Sequence, residues 1–272
     1  MRKIIGLVVL LFSMFTHLQA QDDSFTSTQR QAQLSTDSLD VEVMVIPANF
    51  KLYRSYYDKQ MMEANHLSFD QLRDTILSSL AAEVALAFND SVPSGVILES
   101  KSGYKEDMDF VYESIDYTYD LLPEPKKKET TLGKWKSKLK KKDEKPAPKT
   151  GTYMEGGQIV SNPEYKPKYT NIKVLNADFL YLLNKRYHAN TFVFINHYEM
   201  TIAEHVTQTE IHGDNYARII KVHYTIVDVN GKEIQSGMAV RNSSSYDNKL
   251  DYLIGTSFYL IGQQIKHNLE EK

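Results

Sequence analysis

The stretch Asn176 to Met200, NADFLYLLNKRYHANTFVFINHYEM, constrains the fold more than any other part of the chain. Phe179, Leu180, Leu183 and Tyr187 fall on one side of a helix for which Asn176 is the natural cap. His188-Ala-Asn190 turns a corner, and Phe192-Val-Phe-Ile195 then runs without a polar break, as a strand buried on both faces does. A helix that feeds such a strand has to lie on a face of the sheet, which points to layered α/β architecture.

The neighbours of this strand can be read off in order. Val41 to Ile46 is a nearly continuous apolar strand, stopped by Pro47, which cannot donate to a ladder. Asn49 to Leu67 is a long connection carrying Tyr53, Tyr56, Tyr57, Met61 and Met62, a cluster that either packs into the core or lines a ligand groove. Ser68 with Gln71 forms a capping box, and Leu67 can meet Leu72 across it as a hydrophobic staple. Leu72, Ile76, Leu80, Val84 and Phe88 then repeat every four residues as one buried helical stripe. Val96-Ile-Leu98 reads as a short strand, and Tyr117, Tyr119 and Leu121 alternate like another.

Ile220, Val222, Tyr224 and Ile226 alternate with Lys221, His223 and Thr225, so the second set is expected on a solvated face. Asn230-Gly231 signals a hairpin with positive φ at both turn residues, and the return strand carries Ile234, Ser236, Met238 and Val240 on one face. Ser244 or Ser245 is expected to cap a last helix with Leu250, Ile254, Ser257 or Phe258, Ile261, Ile265 and Leu269 on its apolar side. The expected fold is therefore α/β: a single mixed sheet with helices packed on it, a C-terminal β-hairpin and a long closing helix.

Outside this pattern stand three segments. Residues 1–20 have a basic start (Arg2, Lys3), an apolar run from Ile4 to Phe15 and a Leu18-Gln-Ala20 cleavage site, the marks of a cleavable signal peptide. Residues 21–40 are polar and without period, a flexible leader. Residues 41–272 read as a single domain interrupted at about 123–169 by a disordered or loosely structured Lys-rich insertion. Composition sharpens two points. Zero cysteines leave no disulfides and no thiol to carry a lipid anchor, so the mature chain is expected to be a periplasmic protein and not a lipoprotein. The net charge of −3 conceals a block, Lys126 to Lys149, with eleven lysines against three acids; without that block and the two signal-peptide positives, the remainder sits near −13.

The order of elements resembles the periplasmic α/β domain shared by the amino-terminal part of TolB, by CsgG and by LpoB. The similarity rests on Val43-Met-Val-Ile-Pro47 as an opening strand ending in proline, on Tyr187-His-Ala-Asn-Thr-Phe-Val-Phe194 as the helix end running into the buried strand, and on Ile226 to Gly237 as the closing hairpin. The resemblance implies a binding or scaffold domain of the cell envelope and carries no catalytic residues with it. Two departures are plain: no lipid-anchor cysteine, and no pair of amphipathic hairpins able to form a pore.

Catalytic chemistry has little to stand on. His197, His205, His212 and His223 lack the short spacings that put two metal ligands on one face, so neither metal nor cofactor is expected. No G-x-S-x-G occurs, and Asp107/Asp109 and Asp116/Asp120 have nothing to separate their pKa values. The anomalous segment is the basic one. Leu132, Trp135 and Leu139 lie at helical spacing among Lys134, Lys136, Lys138, Lys140, Lys141 and Lys142, the pattern of a short helix lying on an anionic surface, although Gly133 lowers its helicity. A solvated loop accounts for the same residues. Nucleic acid is an electrostatic match but does not suit an exported protein. The expected function is non-enzymatic: an exported envelope protein that binds a partner protein or an anionic membrane surface through this arm, with self-association through the closing helix or an edge strand also open. The alternative is a hydrolase with an unrecognised site near the 49–67 connection.

Overall fold

The computed structural model describes residues 41–97, 104–122, 151–155, 158–162, 167–203 and 216–270, with backbone alone for the two short segments at 151–162. The segments read as a signal peptide and leader, residues 1–40, and the lysine segment lie outside the described residues.

Strand β1 (Val43–Ile46) is followed by a 3₁₀ turn (Phe50–Leu52), β2 (Tyr53–Ser55), helix α1 (Asp58–Asn65), helix α2 (Phe69–Asn89) and β3 (Ser94–Val96). Next come α3 (Tyr104–Glu113), β4 (Ile115–Leu121), the hairpin β5 (Gly151–Glu155) and β6 (Gln158–Asn162), and β7 (Lys168–Val174). The chain closes with α4 (Asp178–Tyr187), β8 (Thr191–Ile202), β9 (Ala217–Asp228), β10 (Glu233–Ser244) and α5, a helix over 250–270 whose Leu253–Phe258 portion is a π-turn.

The main sheet has the order β10-β9-β8-β1-β3, mixed in sense. β8 pairs with β1 in parallel over Thr191–Phe194 and with β2 in parallel over Tyr198–Met200, so β1 and β2 are two pieces of one interrupted neighbour strand. Its other side pairs antiparallel with β9 along its length. The central strand is the one singled out from its apolar run, and its first half is buried on both faces.

Both faces of the sheet are covered. On one, α2 and α5 pack over Val45, Val193, Tyr198, Val222 and Ile226. The α2 stripe forms as its spacing predicts, started by the Ser68–Gln71 capping box. α5 crosses α2 at Gly262, where a Cβ would stand 2.8 Å from Ala87 Cβ and 3.0 Å from the Glu83 carbonyl oxygen, so only glycine permits this approach. On the other face, α3, α4 and the antiparallel ribbon β4–β7 pack over Met44, Ile46, Phe192, Phe194 and Val227. All four residues of the predicted α4 stripe are buried there.

Several expectations are corrected. Asn176 accepts from the Asp178 N–H but stands one residue before the helix cap, Ala177. The β9–β10 turn has positive φ only at Gly231: its N–H donates to the Asp228 carbonyl, and the Asp228 carboxylate takes the N–H groups of Asn230 and Lys232. Asp228 thus organises a longer loop than the two-residue turn that Asn-Gly suggests. A bulge between Glu233 and Gln235 separates Ile234 from Ser236, Met238 and Val240: Ile234 packs toward the α2–α5 core. Neither Ser244 nor Ser245 caps α5, because β10 continues to Ser244 and the helix starts at Leu250. Its first N–H is taken instead by the Asn65 side chain, from the end of α1. The stretch read as a Lys-rich insertion includes the β5–β6 ladder over residues 151–162.

Candidate functional site

The residues expected to contact a surface, Leu132, Lys134, Trp135, Lys136, Lys138, Leu139, Lys140, Lys141 and Lys142, lie outside the described residues, as do His205 and His212. The remaining polar groups with chemical potential sort into two buried clusters and two open grooves.

The first cluster fills the space between the β4–β7 ribbon and the sheet. A bulge in β8 between Ile195 and His197 turns Asn196 toward the ribbon and lets Tyr198 and Met200 return to the α2–α5 side. Asn196 donates to the Thr170 carbonyl at 2.9 Å and to Thr225 Oγ1 at 2.7 Å. Thr225 in turn donates to Asn171, whose amide reaches Asp120 and Glu233. His223 accepts the Thr170 N–H on Nδ1 at 2.8 Å, which fixes the tautomer with its proton on Nε2. The Tyr169 hydroxyl meets Ser236 at 2.7 Å.

Lys221, His223 and Thr225 do share one face, but for two of them it is not solvated: His223 is 6% exposed and Thr225 0%. The ribbon covers them. Burial, then His197 and Lys221 nearby, push the His223 imidazole down to about 3. His197, edge-on to His223 with ring centroids 5.0 Å apart, is also lowered, chiefly by burial. A histidine held neutral with Nδ1 occupied by a backbone N–H is a strut between layers, not a proton shuttle open to substrate.

The second cluster knits the start of β9 to α1 and to the start of α5. Arg218 is 1% exposed; it donates to the Ser245 carbonyl at 2.6 Å and to Asn248 Oδ1 at 2.8 Å, and its guanidinium stands 4.0 Å from the Tyr57 ring centre. Asn65 joins the same knot by donating to the Met61 and Asn248 carbonyls. Tyr57 and Met61 are buried core residues, while Tyr53 stacks on Tyr198 and donates to Asp58. Burial raises the phenols of Tyr53, Tyr57 and Tyr198, so these rings stay neutral. Of the tyrosine–methionine cluster in the 49–67 connection, Tyr57 and Met61 are core, Tyr53 and Met62 pack against it half-buried, and Tyr56 is exposed.

Open space is found elsewhere. A concavity of about 600 Å³ lies between β10 and α5, lined by Arg241, Asn242, Ser244, Asp247, Tyr252 and Leu260. A second, of about 350 Å³, lies between α3 and α4 over Phe110, Phe179, Leu182 and Leu183, with Asp107 and Arg186 at its rim. Asp107, read as paired with Asp109 with nothing to separate their pKa values, is engaged by Arg186 and the Tyr187 hydroxyl. Sequence reading passed over this groove, although a signal was present. Leu182 is an apolar position that does not belong to the Phe179–Tyr187 stripe and so had no predicted partner.

Among the described residues, no three His, Asp or Glu side chains are placed to hold a metal ion, and no helix is long and apolar enough to cross a membrane. Comparison with protein-family models and with curated proteins gives no match.

Proposed function

We propose that the protein is a non-enzymatic, exported bacterial envelope protein, released into the periplasm and acting there as a partner-binding or scaffold domain. One observation carries the reading. The groups best suited to chemistry, His223, Asn196 and Arg218, are enclosed between layers and engaged as struts, whereas the open grooves present mixed apolar and polar surface. That division is what a recognition module needs: a rigid frame and an available outer face. The basic signal-peptide start and the resemblance of the element order to the TolB, CsgG and LpoB domain give the reading its address.

The Lys-rich arm, Leu132 to Lys142, engages an anionic surface or an acidic protein, with Trp135 at the boundary and the lysines around it. The test is envelope fractionation of the full chain beside a variant lacking residues 126–149. The full chain is expected to sediment with the envelope at low salt and to be released as salt rises. Equal sedimentation of both forms contradicts the role of the arm.

A further inference from the structure

The concavity between β10 and α5 combines a buried hydroxyl that has no partner with a gap in the cover of a strand edge. Ser257 is 5% exposed and lines the cavity, and its hydroxyl has no hydrogen-bond partner among the described residues. Ser243, on the β10 side, is 9% exposed, and its hydroxyl makes only a 3.4 Å contact with Asp247 Oδ2. A buried hydroxyl without a partner is destabilising, and a bound group that hydrogen-bonds to it removes that penalty. Thr256 and Ser257 belong to the π-turn of α5, a local widening of the helix that recurs at functional sites.

The strand edge supplies the second feature. β10 is an outer strand, and its pairing with β9 runs without a shift from Ser236 to Ser244. The N–H groups of Val240 and Ser244 point away from β9 and are covered, by Gln264 Oε1 at 3.1 Å and by Asp247 Oδ2 at 3.0 Å. Alternation puts the N–H and C=O of Asn242 on the same outer edge, between the covered positions and without a partner among the described residues. The gap is one residue long. An added peptide strand would run into the covered neighbours, whereas a single amide group fits.

Charge and polarity narrow the ligand further. The lining holds one cation, Arg241, and one anion, Asp247, so it favours a molecule without net charge. Arg241 gives one N–H to the Leu260 carbonyl at 3.2 Å, and its other N–H groups have no acceptor among the described residues. Donors, acceptors and hydroxyls therefore surround a neutral cavity of about 600 Å³, within the range of small-ligand sites. Tyr252 and Leu260, both exposed, add an apolar wall for the C–H face of a sugar ring.

We infer that the β10–α5 groove binds a 2-acetamido sugar, its acetamido group paired with the Asn242 backbone and its hydroxyls with Arg241, Asp247 and Ser257. Such a sugar carries an amide and several hydroxyls without net charge, the combination that this groove can satisfy. The groove is separate from the basic arm, so this inference and the fractionation experiment fail independently.

The test is a titration of the full mature chain with N,N′-diacetylchitobiose, followed by proton–nitrogen correlation spectra. Saturable shifts that include the Asn242 amide are expected, with a dissociation constant of about 1 mM or tighter. Cellobiose, which has hydroxyls where the acetamido groups stand, should bind at least about tenfold more weakly. N-acetylalanine N-methylamide, an amide without the sugar, should bind more weakly still. Ser257→Ala should weaken the disaccharide about fivefold. Thr256→Trp, at an exposed position, fills the groove and should abolish binding, with an unchanged thermal melt showing that the variant is folded. No saturable shift at about 10 mM disaccharide overturns the inference. So does cellobiose or the bare amide binding as tightly, or binding that survives Thr256→Trp.

Discussion

Protonation of His223 is the perturbation for which the structure gives the clearest magnitude. In the folded chain its Nδ1 accepts the Thr170 N–H beneath the ribbon, and the imidazole is held down to about 3; in the unfolded chain it returns to the ordinary histidine value. The folded value is depressed, so between the two values the unfolded state binds more protons. The histidine's contribution is thus intact above the ordinary value and is lost as pH falls toward the folded one. Carrying the chain from about pH 7.5 to about pH 5 should cost up to about 2 kcal/mol from this residue alone. His197 is shifted in the same direction and adds to the effect. The variant that isolates the term is His223→Gln, whose amide oxygen can still accept from Thr170 but does not titrate. Urea unfolding followed by far-ultraviolet circular dichroism gives stability at each pH. The wild type should lose about 2 kcal/mol more than H223Q across that window. Parallel pH profiles would refute the assignment of His223 as a buried neutral strut.

Three further predictions rest on single contacts. Gly262→Ala places a methyl group against Ala87 and the α2 backbone; it should force the helices apart at a cost of about 1–3 kcal/mol, read as a lower urea midpoint. Arg218→Met removes the donors to Ser245 and Asn248 and should cost about 2–3 kcal/mol, while Arg218→Lys should fail to restore stability because an ammonium lacks the planar fork; both are read by urea unfolding. Asn65→Ala unties the Leu250 N–H and the Asn248 carbonyl, for a loss of about 1–2 kcal/mol, and hydrogen exchange should quicken first at the start of α5.

Much of the frame is legible because local rules and tertiary packing agree. The capping box at Ser68, the α2 repeat and the run from Phe192 to Ile195 each encode an environment within a few residues, and the sheet is built on them. The failures share a cause, which is that the deciding partner lies far along the chain. Alternation places His223 and Thr225 together correctly, yet only the return of β7 some fifty residues earlier in sequence makes their face a buried one. The start of α5 looks like a serine cap, but the group that satisfies it is Asn65. Bulges at Asn196 and Ile234 switch the facing of the residues after them, and period-two reading has no means of counting them. The groove between α3 and α4 stayed hidden for a related reason. Leu182 shows that α4 is apolar beyond its core stripe, but what faces it depends on where α3 packs.

The central claim, that this chain works by contact through its open surface, is tested most directly by site-specific photo-crosslinking in intact cells. Photoreactive side chains would be placed at Lys136 in the basic arm, at Leu182 in the α3–α4 groove and, as a buried control, at Tyr198. The account predicts a discrete adduct with an envelope component from Lys136 or Leu182 and none from Tyr198. The absence of adducts from both exposed positions in cells that export the protein would contradict it.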